Sequence, residues 1–246
     1  RYARSCGDQI WPVAYVDPRG YAPRVIRAMW QQAGGVLGGQ VREGPTPPTA
    51  RLLLEADSLS LGEIAADINK LSNNVMAQQL FLTLGLPPRG PARFEAARER
   101  LRHWWVQRLG AFVPPELDNG SGLSRTERAR ARSLAALLQL AARGPLAGPF
   151  TDSLSIAGVD GTTARLRDRR PDSPAIGNAR LKTGSLRDVA SVAGYATGLS
   201  GQRYLLVAMV NHDNAAAARP ALEQLVEWVI QDTPGTRAAA AGCASR

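Results

Sequence analysis

Apolar and polar positions alternate with different periods along this chain, and the change of period marks out its elements. Ile10 to Val16 reads as a short strand, followed by a turn at Asp17-Pro18-Arg19-Gly20. A helix is predicted over Ala22 to Gln32, with Val25, Ile26, Met29 and Trp30 on one face and Gly34-Gly35 as its stop. Val36 to Arg42 fits a strand, Gly44 to Pro48 a sharp loop, and Arg51 to Glu55 a second short apolar strand. From Ser60 the spacing turns helical, with Leu61, Ile64, Ala65 and Ile68 on one face, and ends in the polar run Asn69 to Asn74. Val75 to Leu84 follows at once as a helix apolar on nearly every side, a pattern that predicts burial in the centre of a domain.

Ala92 to Leu109 is predicted as an amphipathic helix carrying His103, Trp104 and Trp105, and Pro114 to Ser124 as a loop. Ser124 with Glu127 has the spacing of a capping box, so a helix is expected from there to about Arg143, broken by Gly144 to Pro149. In the final third the period falls to two. Asn178 to Ser185, Val189 to Thr197 and Arg203 to Asn211 read as three strands joined by short turns, an antiparallel meander. A helix over Arg219 to Gln231 closes the pattern with Leu222, Leu225, Val226 and Val229 inward, and the Ala- and Gly-rich tail from Thr233 is expected to be disordered. There is no internal repeat. The fold class expected is mixed α/β (α+β), an antiparallel sheet from the last third packed against helices from the middle.

Composition narrows the function classes. A chain of 246 residues, 44% hydrophobic and 21% charged, is long enough to bury a core. The longest apolar run, Tyr204 to Val210, is far short of the ~20 residues that span a bilayer, so no transmembrane segment is predicted within the chain. Two cysteines, Cys6 and Cys243, and two histidines, His103 and His212, offer no metal-ligand spacing, and neither a metal nor a cofactor is expected. The chain opens on Arg1, with no basic segment and apolar stretch of a signal peptide after it, and reads as a mature product or a fragment. The net charge of +9 comes from 28 arginines and only two lysines, Lys70 and Lys182. Against so strong an arginine habit, a lysine marks a place where a compact ammonium or a neutral amine is needed.

Those two lysines sit beside the candidate chemistry. Lys70 precedes Ser72-Asn73-Asn74 at the junction of two predicted helices, where Ser and Asn are also the preferred N-cap residues. A cap needs one such residue and here there are three. Lys182 opens Lys182-Thr183-Gly184-Ser185 on a predicted strand, which has the makings of an anion-binding edge. Gly184 allows a ligand backbone to approach, and free N–H groups at such an edge stabilise an oxyanion. The alternative is an ordinary edge strand whose lysine guards against aggregation. Elsewhere, Gly120-Ser121-Gly122 does not match a nucleophile elbow. His103 reads as a helix-face residue and His212 as part of a solvated turn. The arginines at 165, 167, 169 and 170 lack the interleaved aromatics of a nucleic-acid surface, so no nucleic-acid partner is expected.

Taken together, Ser72-x-Asn74 at a helix junction and Lys182-Thr183-Gly184 on a strand 110 residues later resemble the penicillin-recognising serine hydrolases. Within them the chain is similar to the D-alanyl-D-alanine carboxypeptidase/endopeptidases, the class C low-molecular-mass penicillin-binding proteins (peptidase family S13). The run Asp67 to Ala77 resembles that family's second motif in context. Asn119 to Ser124, Gly161-Thr162, and Lys182 to Leu186 through Ala193-Gly194-Tyr195 resemble three further segments in the same order. The resemblance covers roughly residues 20 to 230. It implies a transpeptidase-like fold and a periplasmic enzyme that cleaves the D-Ala-D-Ala end of peptidoglycan stem peptides through an acyl-enzyme and binds β-lactam antibiotics. It also implies that Ser72 relays a proton towards the leaving amine and that Asn74 holds the substrate amide and the neighbouring lysine. Lys182 and Thr183 would bind the terminal carboxylate. Beside Gly184, the Ser185 backbone N–H would supply half of an oxyanion hole.

The chain departs from the family at one point. The attacking serine of such enzymes lies in Ser-x-x-Lys, but three residues before Lys70 stands Asp67, and three before Lys182 stands Ala179. The fold is therefore expected to be incomplete: 1–20 as a return segment from a missing N-terminal or insertion region, 21–232 as the C-terminal part of the transpeptidase-like domain, 233–246 as the tail. This chain by itself should be inactive, and its missing N-terminal part is the partner expected to restore it. The alternatives are a non-catalytic wall-binding remnant and a β-lactamase-like serine hydrolase, the latter disfavoured by the segments around Gly120 and Gly161. Whether Cys6 and Cys243 pair is left open by the sequence.

Overall fold

A computed structural model describes residues 16–232, which fall into two compact units, 16–57 and 58–232. The strand expected at Ile10 to Val16, all but Val16, and the tail from Thr233 lie outside the described residues. In the first unit the helix α1 (Pro18–Gln32) starts four residues earlier than predicted. The Asp17 carboxylate accepts from the Arg19 N–H at 3.1 Å, and Pro18 takes the first helical position, so the presumed turn is an N-cap and first turn. The strands expected at 36–42 and 51–55 do not form. Val36 and Leu52 to Leu54 are exposed, and the described part of this unit contains no strand to pair with their backbone groups.

The second unit holds α2 (Leu61–Leu71), α3 (Asn74–Leu84), α4 (Phe94–Leu109), α5 (Ala131–Arg143), α6 (Ala147–Ser153), β1 (Ser155–Ile156), α7 (Leu166–Arg169), β2 (Ala179–Leu186), β3 (Val189–Thr197), β4 (Arg203–Asn211) and α8 (Arg219–Ile230). The sheet runs β1-β2-β3-β4, every pair antiparallel. The meander read from the sequence is correct to within a residue, because short apolar-rich runs bounded by turns suit strands covered on both faces. Val192, Ala196 and Leu206 face one way, against Leu222, Val226 and Ile230 of α8. Ala193, Tyr195, Leu205 and Val207 face the other way, towards Leu138 of α5 and Leu154, and the Tyr195 hydroxyl donates to the Leu138 carbonyl at 2.7 Å. On α4, Trp105 and Leu109 pack on Ala136 of α5.

Three local expectations are corrected. Ser124 does not cap a helix: Glu127 turns back and accepts from the Asp118 and Gly120 N–H groups at 3.1 and 3.4 Å. Residues 116 and 128 bridge, and α5 begins only at Ala131. The break at 144–149 already contains the start of α6, and β1 is too short to leave a periodic signal. Of α3 only Phe81 is buried, and Val75 and Leu84 are exposed, so its all-round apolar surface is not matched by all-round packing.

Candidate functional site

The site begins where α2 ends. A capping box starts that helix, with the Ser60 hydroxyl accepting from the Glu63 N–H and the Glu63 carboxylate accepting from the Ser60 N–H. It stops at Ser72, whose φ of 53° and ψ of 47° are left-handed. Among the described residues this is the only non-glycine with positive φ. A C-terminal cap in this conformation is usually glycine, and a serine holding it places a side chain where the chain reverses. Asn73 is the N-cap of α3, its side-chain oxygen accepting from the Met76 N–H at 3.1 Å. Asn74 Nδ2 donates to the Ser121 carbonyl at 2.7 Å. The three adjacent polar residues thus do three jobs, and the cap reading holds for Asn73 alone.

Lys182 approaches from β2. Its ammonium donates to the Ser72 hydroxyl and, at 3.0 Å, to the Thr183 carbonyl. No carboxylate among the described residues forms an ion pair with it. Burial pushes its pKa below the ordinary lysine value. The outer edge of β2 is open here, because β1 pairs only with Arg180 and Leu181. Thr183 Oγ1 lies 2.9 Å from Thr162 Oγ1. Across the β2–β3 register Gly184 stands opposite Ser191, and a Cβ on Gly184 would come within 2.5 Å of the Ser191 hydroxyl. Ser185, next along the strand, is exposed.

All six residues singled out in the sequence, Ser72, Asn74, Lys182, Thr183, Gly184 and Ser185, line one cavity of about 920 Å³. An uncompensated ammonium, a ring of hydroxyls and an open strand edge together suit an extended peptide that ends in a carboxylate. The histidines lie apart: His103 bonds Gln107 on its own helix, and His212 Nδ1 accepts from the Asn214 N–H. Three of the four clustered arginines are occupied within the chain, Arg167 by the Gly158 carbonyl, Arg169 by Glu223 and Arg170 by Glu227. No cluster suited to a metal ion and no helix long and apolar enough to cross a membrane occurs among the described residues.

The profile of one family, described as D-Ala-D-Ala carboxypeptidase 3 (S13), matches residues 3–231. The chain belongs to that family. Among S13 relatives, it is 28% identical over 192 residues to the D-alanyl-D-alanine carboxypeptidase DacB of Haemophilus influenzae, covering 78% of this chain and 40% of that protein. To the D-alanyl-D-alanine carboxypeptidase of Actinomadura sp. it is 28% identical over 234 residues, 90% of this chain and 42% of the other. The S13 chain therefore spans about two-fifths of the length of these relatives. The crystal structure of Haemophilus influenzae penicillin binding protein 4 in complex with a β-lactam superposes with a TM-score of 0.70 at 25% identity, over 87% of this chain and 52% of the other. The penicillin-binding-protein fold expected from the sequence is the fold observed.

Sequence reasoning left Asp160 of this S13 chain without a part. It accepts from Lys70 Nζ and from the Ile156 N–H, each at 2.6 Å. Burial raises its pKa, but these hydrogen bonds and the charges of Lys70 and Arg180 outweigh that and hold the carboxyl below the ordinary aspartate value. The available signal was Lys70 itself, one of two lysines in an arginine-rich chain.

Proposed function

We propose that residues 58–232 form the substrate-binding and proton-relay half of a serine-type D-Ala-D-Ala carboxypeptidase/endopeptidase. It acts on peptidoglycan stem peptides in the periplasm and is open to β-lactams, with its attacking serine supplied from outside these 246 residues. The observation that carries this reading is the hydrogen bond from Lys182 to Ser72 at the open edge of β2.

In this reading the terminal carboxylate of the stem peptide binds Lys182 and the Thr183 hydroxyl, and the penultimate D-Ala carbonyl faces the backbone at Gly184 and Ser185. As the incoming serine oxygen bonds to that carbonyl carbon, its proton passes to the lysine that comes with it in Ser-x-x-Lys, and the oxyanion that forms is held by backbone N–H groups, the Ser185 N–H among them. Because the Ser72 oxygen accepts from Lys182, its own hydrogen is free to pass to the amide nitrogen as the C–N bond breaks and D-alanine leaves, and the proton taken from the attacking serine restores the Ser72 hydroxyl. Asn74, held by the Ser121 carbonyl, fixes the floor on which the peptide amide lies. Water then attacks the ester carbonyl and releases the shortened peptide, returning the proton to the serine oxygen.

Fluorescent penicillin tests the assignment. The 246-residue chain should show no covalent label, and the same chain joined to an N-terminal segment carrying Ser-x-x-Lys should label. Labelling of the chain alone would show that it holds its own nucleophile, and failure of the joined protein to label would favour a wall-binding role without catalysis.

A further inference from the structure

The left-handed turn at Ser72 is costly for a serine, ~1–2 kcal/mol relative to right-handed backbone, so something must hold it. Four contacts join the last turn of α2 to the segment 153–161. Asn69 Nδ2 donates to the Ser153 hydroxyl at 2.8 Å, and the Lys70 ammonium meets Asp160 at 2.6 Å. The Ser155 hydroxyl donates to the Lys70 carbonyl at 3.4 Å. Gly161, at φ 56°, lies so close to this turn that a Cβ would come within 2.5 Å of the Lys70 carbonyl. The next residue, Thr162, reaches Thr183 on β2. Asp160-Gly161-Thr162 therefore touches both halves of the site, the helix turn that carries Ser72 and the strand that carries Lys182.

We propose that Asp160, acting through Lys70, is a positioning residue that holds the Ser72 turn in register with Lys182. The proposal rests on reading Ser72 and Lys182 as the working pair, and its consequence is independent of turnover. Asp160 gathers the Lys70 ammonium and the Ile156 N–H on its two carboxylate oxygens, so it ties α2 to the start of the 156–163 loop. When that tie is cut, the Ser72 turn relaxes, water reaches Lys182, and the desolvation that depresses the Lys182 pKa is relieved. The charged side chains lining the same cavity are Lys70, Arg165, Arg169, Arg219 and Glu223, and Arg169 and Glu223 already pair with each other. None of the cavity-lining cations is removed by a change at Asp160.

With two lysines in the chain, 13Cε-lysine NMR titration of the 246-residue protein reads Lys70 and Lys182 as separate signals. In Asp160→Asn the Lys182 pKa should rise towards the ordinary lysine value. In Lys70→Arg, which keeps the ion pair, it should stay depressed; in Lys70→Met, which loses it, it should rise with Lys182 as the sole remaining signal. The Lys70 and Asp160 side chains retain 27% and 31% exposure, so water replaces either partner and the variants fold. Should a single variant nevertheless melt, Lys70→Met/Asp160→Asn removes both charges and is read in the same way. A Lys182 pKa unmoved in the folded Asp160→Asn, Lys70→Met or double variant would overturn the proposal and leave the ion pair a local surface contact. The titration detects this whether or not the chain can be acylated.

Discussion

The Lys182 ammonium donates to the Ser72 hydroxyl across 110 residues of sequence, with no described carboxylate paired to the lysine. A half-buried ammonium in this position loses hydration that one hydroxyl and one carbonyl replace only in part. A site that keeps its cation uncompensated is prepared for an anion brought by a ligand, at the expense of the stability of the free protein.

Lys182→Met should therefore leave the free chain as stable as the parent or stabilise it by about 1 kcal/mol, since the methionine fills the same space without a charge. In a domain of this size that is a rise of about 2–4 °C in melting temperature, read by thermal denaturation. The same change in a nucleophile-bearing protein should slow penicillin acylation by about 100-fold or more. A melting temperature lowered by several degrees would mean that Lys182 contributes to the fold itself.

Ser72→Gly should be more stable than Ser72→Ala by about 0.5–1 kcal/mol, because both lose the hydroxyl that Lys182 bonds and only glycine adopts the left-handed conformation without a Cβ penalty. Ser72→Ala keeps that penalty and should fall below the glycine variant in the same melting experiment. Both should abolish proton relay in the joined protein. Equal melting temperatures for the two would show that the turn is not strained.

Gly120→Ala should destabilise the chain by about 2–4 kcal/mol. Gly120 sits at φ 72°, and an added Cβ would overlap the Phe81 Cβ, the buried side chain of α3. The disturbance passes through the 120–122 loop to the Ser121 carbonyl that holds Asn74. Urea denaturation should show a lower midpoint at unchanged slope; a parent-like midpoint would refute the close approach.

The pH dependence has a definite sign for both site carboxyl and site amine. The folded-state pKa of Asp160 is depressed, so its contribution is fully present above the unfolded value of 3.8 and is lost as pH falls below that through the folded value. The folded-state pKa of Lys182 is also depressed, so its burial is an expense that is full below the folded value and fades as pH rises from there towards 10.5. Melting temperatures of the parent and Asp160→Asn should converge on acidification below pH 3.8. Those of the parent and Lys182→Met should converge on the alkaline side. Parallel curves across either window would contradict the corresponding shift.

The legible parts of this molecule are those with local causes. The three long strands follow from runs of eight or nine residues rich in apolar side chains and bounded by turns, and each face of the sheet finds a partner layer, α8 on one side and α5 on the other. The Ser124–Glu127 spacing was misleading because the glutamate serves a loop instead: a capping box is one of several uses for a carboxylate near free N–H groups, and the loop's donors prevailed. Residues 36–55 carry apolar runs without strands, since β-structure requires a neighbouring strand that no local pattern can specify.

The sequence by itself determined the residue types of the site and their order: a serine and asparagines at a helix junction, Lys-Thr-Gly on a strand, and two lysines where arginine was otherwise the rule. It also determined that no Ser-x-x-Lys lies in these 246 residues. Only the tertiary structure decided which asparagine caps and which bonds the Ser121 carbonyl, that Ser72 is left-handed, that Lys182 reaches Ser72, and that Asp160 pairs with Lys70 at the same turn. Periodicity and capping act over a few residues of backbone. The contacts that make the site join residues 90 and 110 positions apart, and their pairing arises only when packing brings α2, the 156–163 loop and β2 to the same cavity.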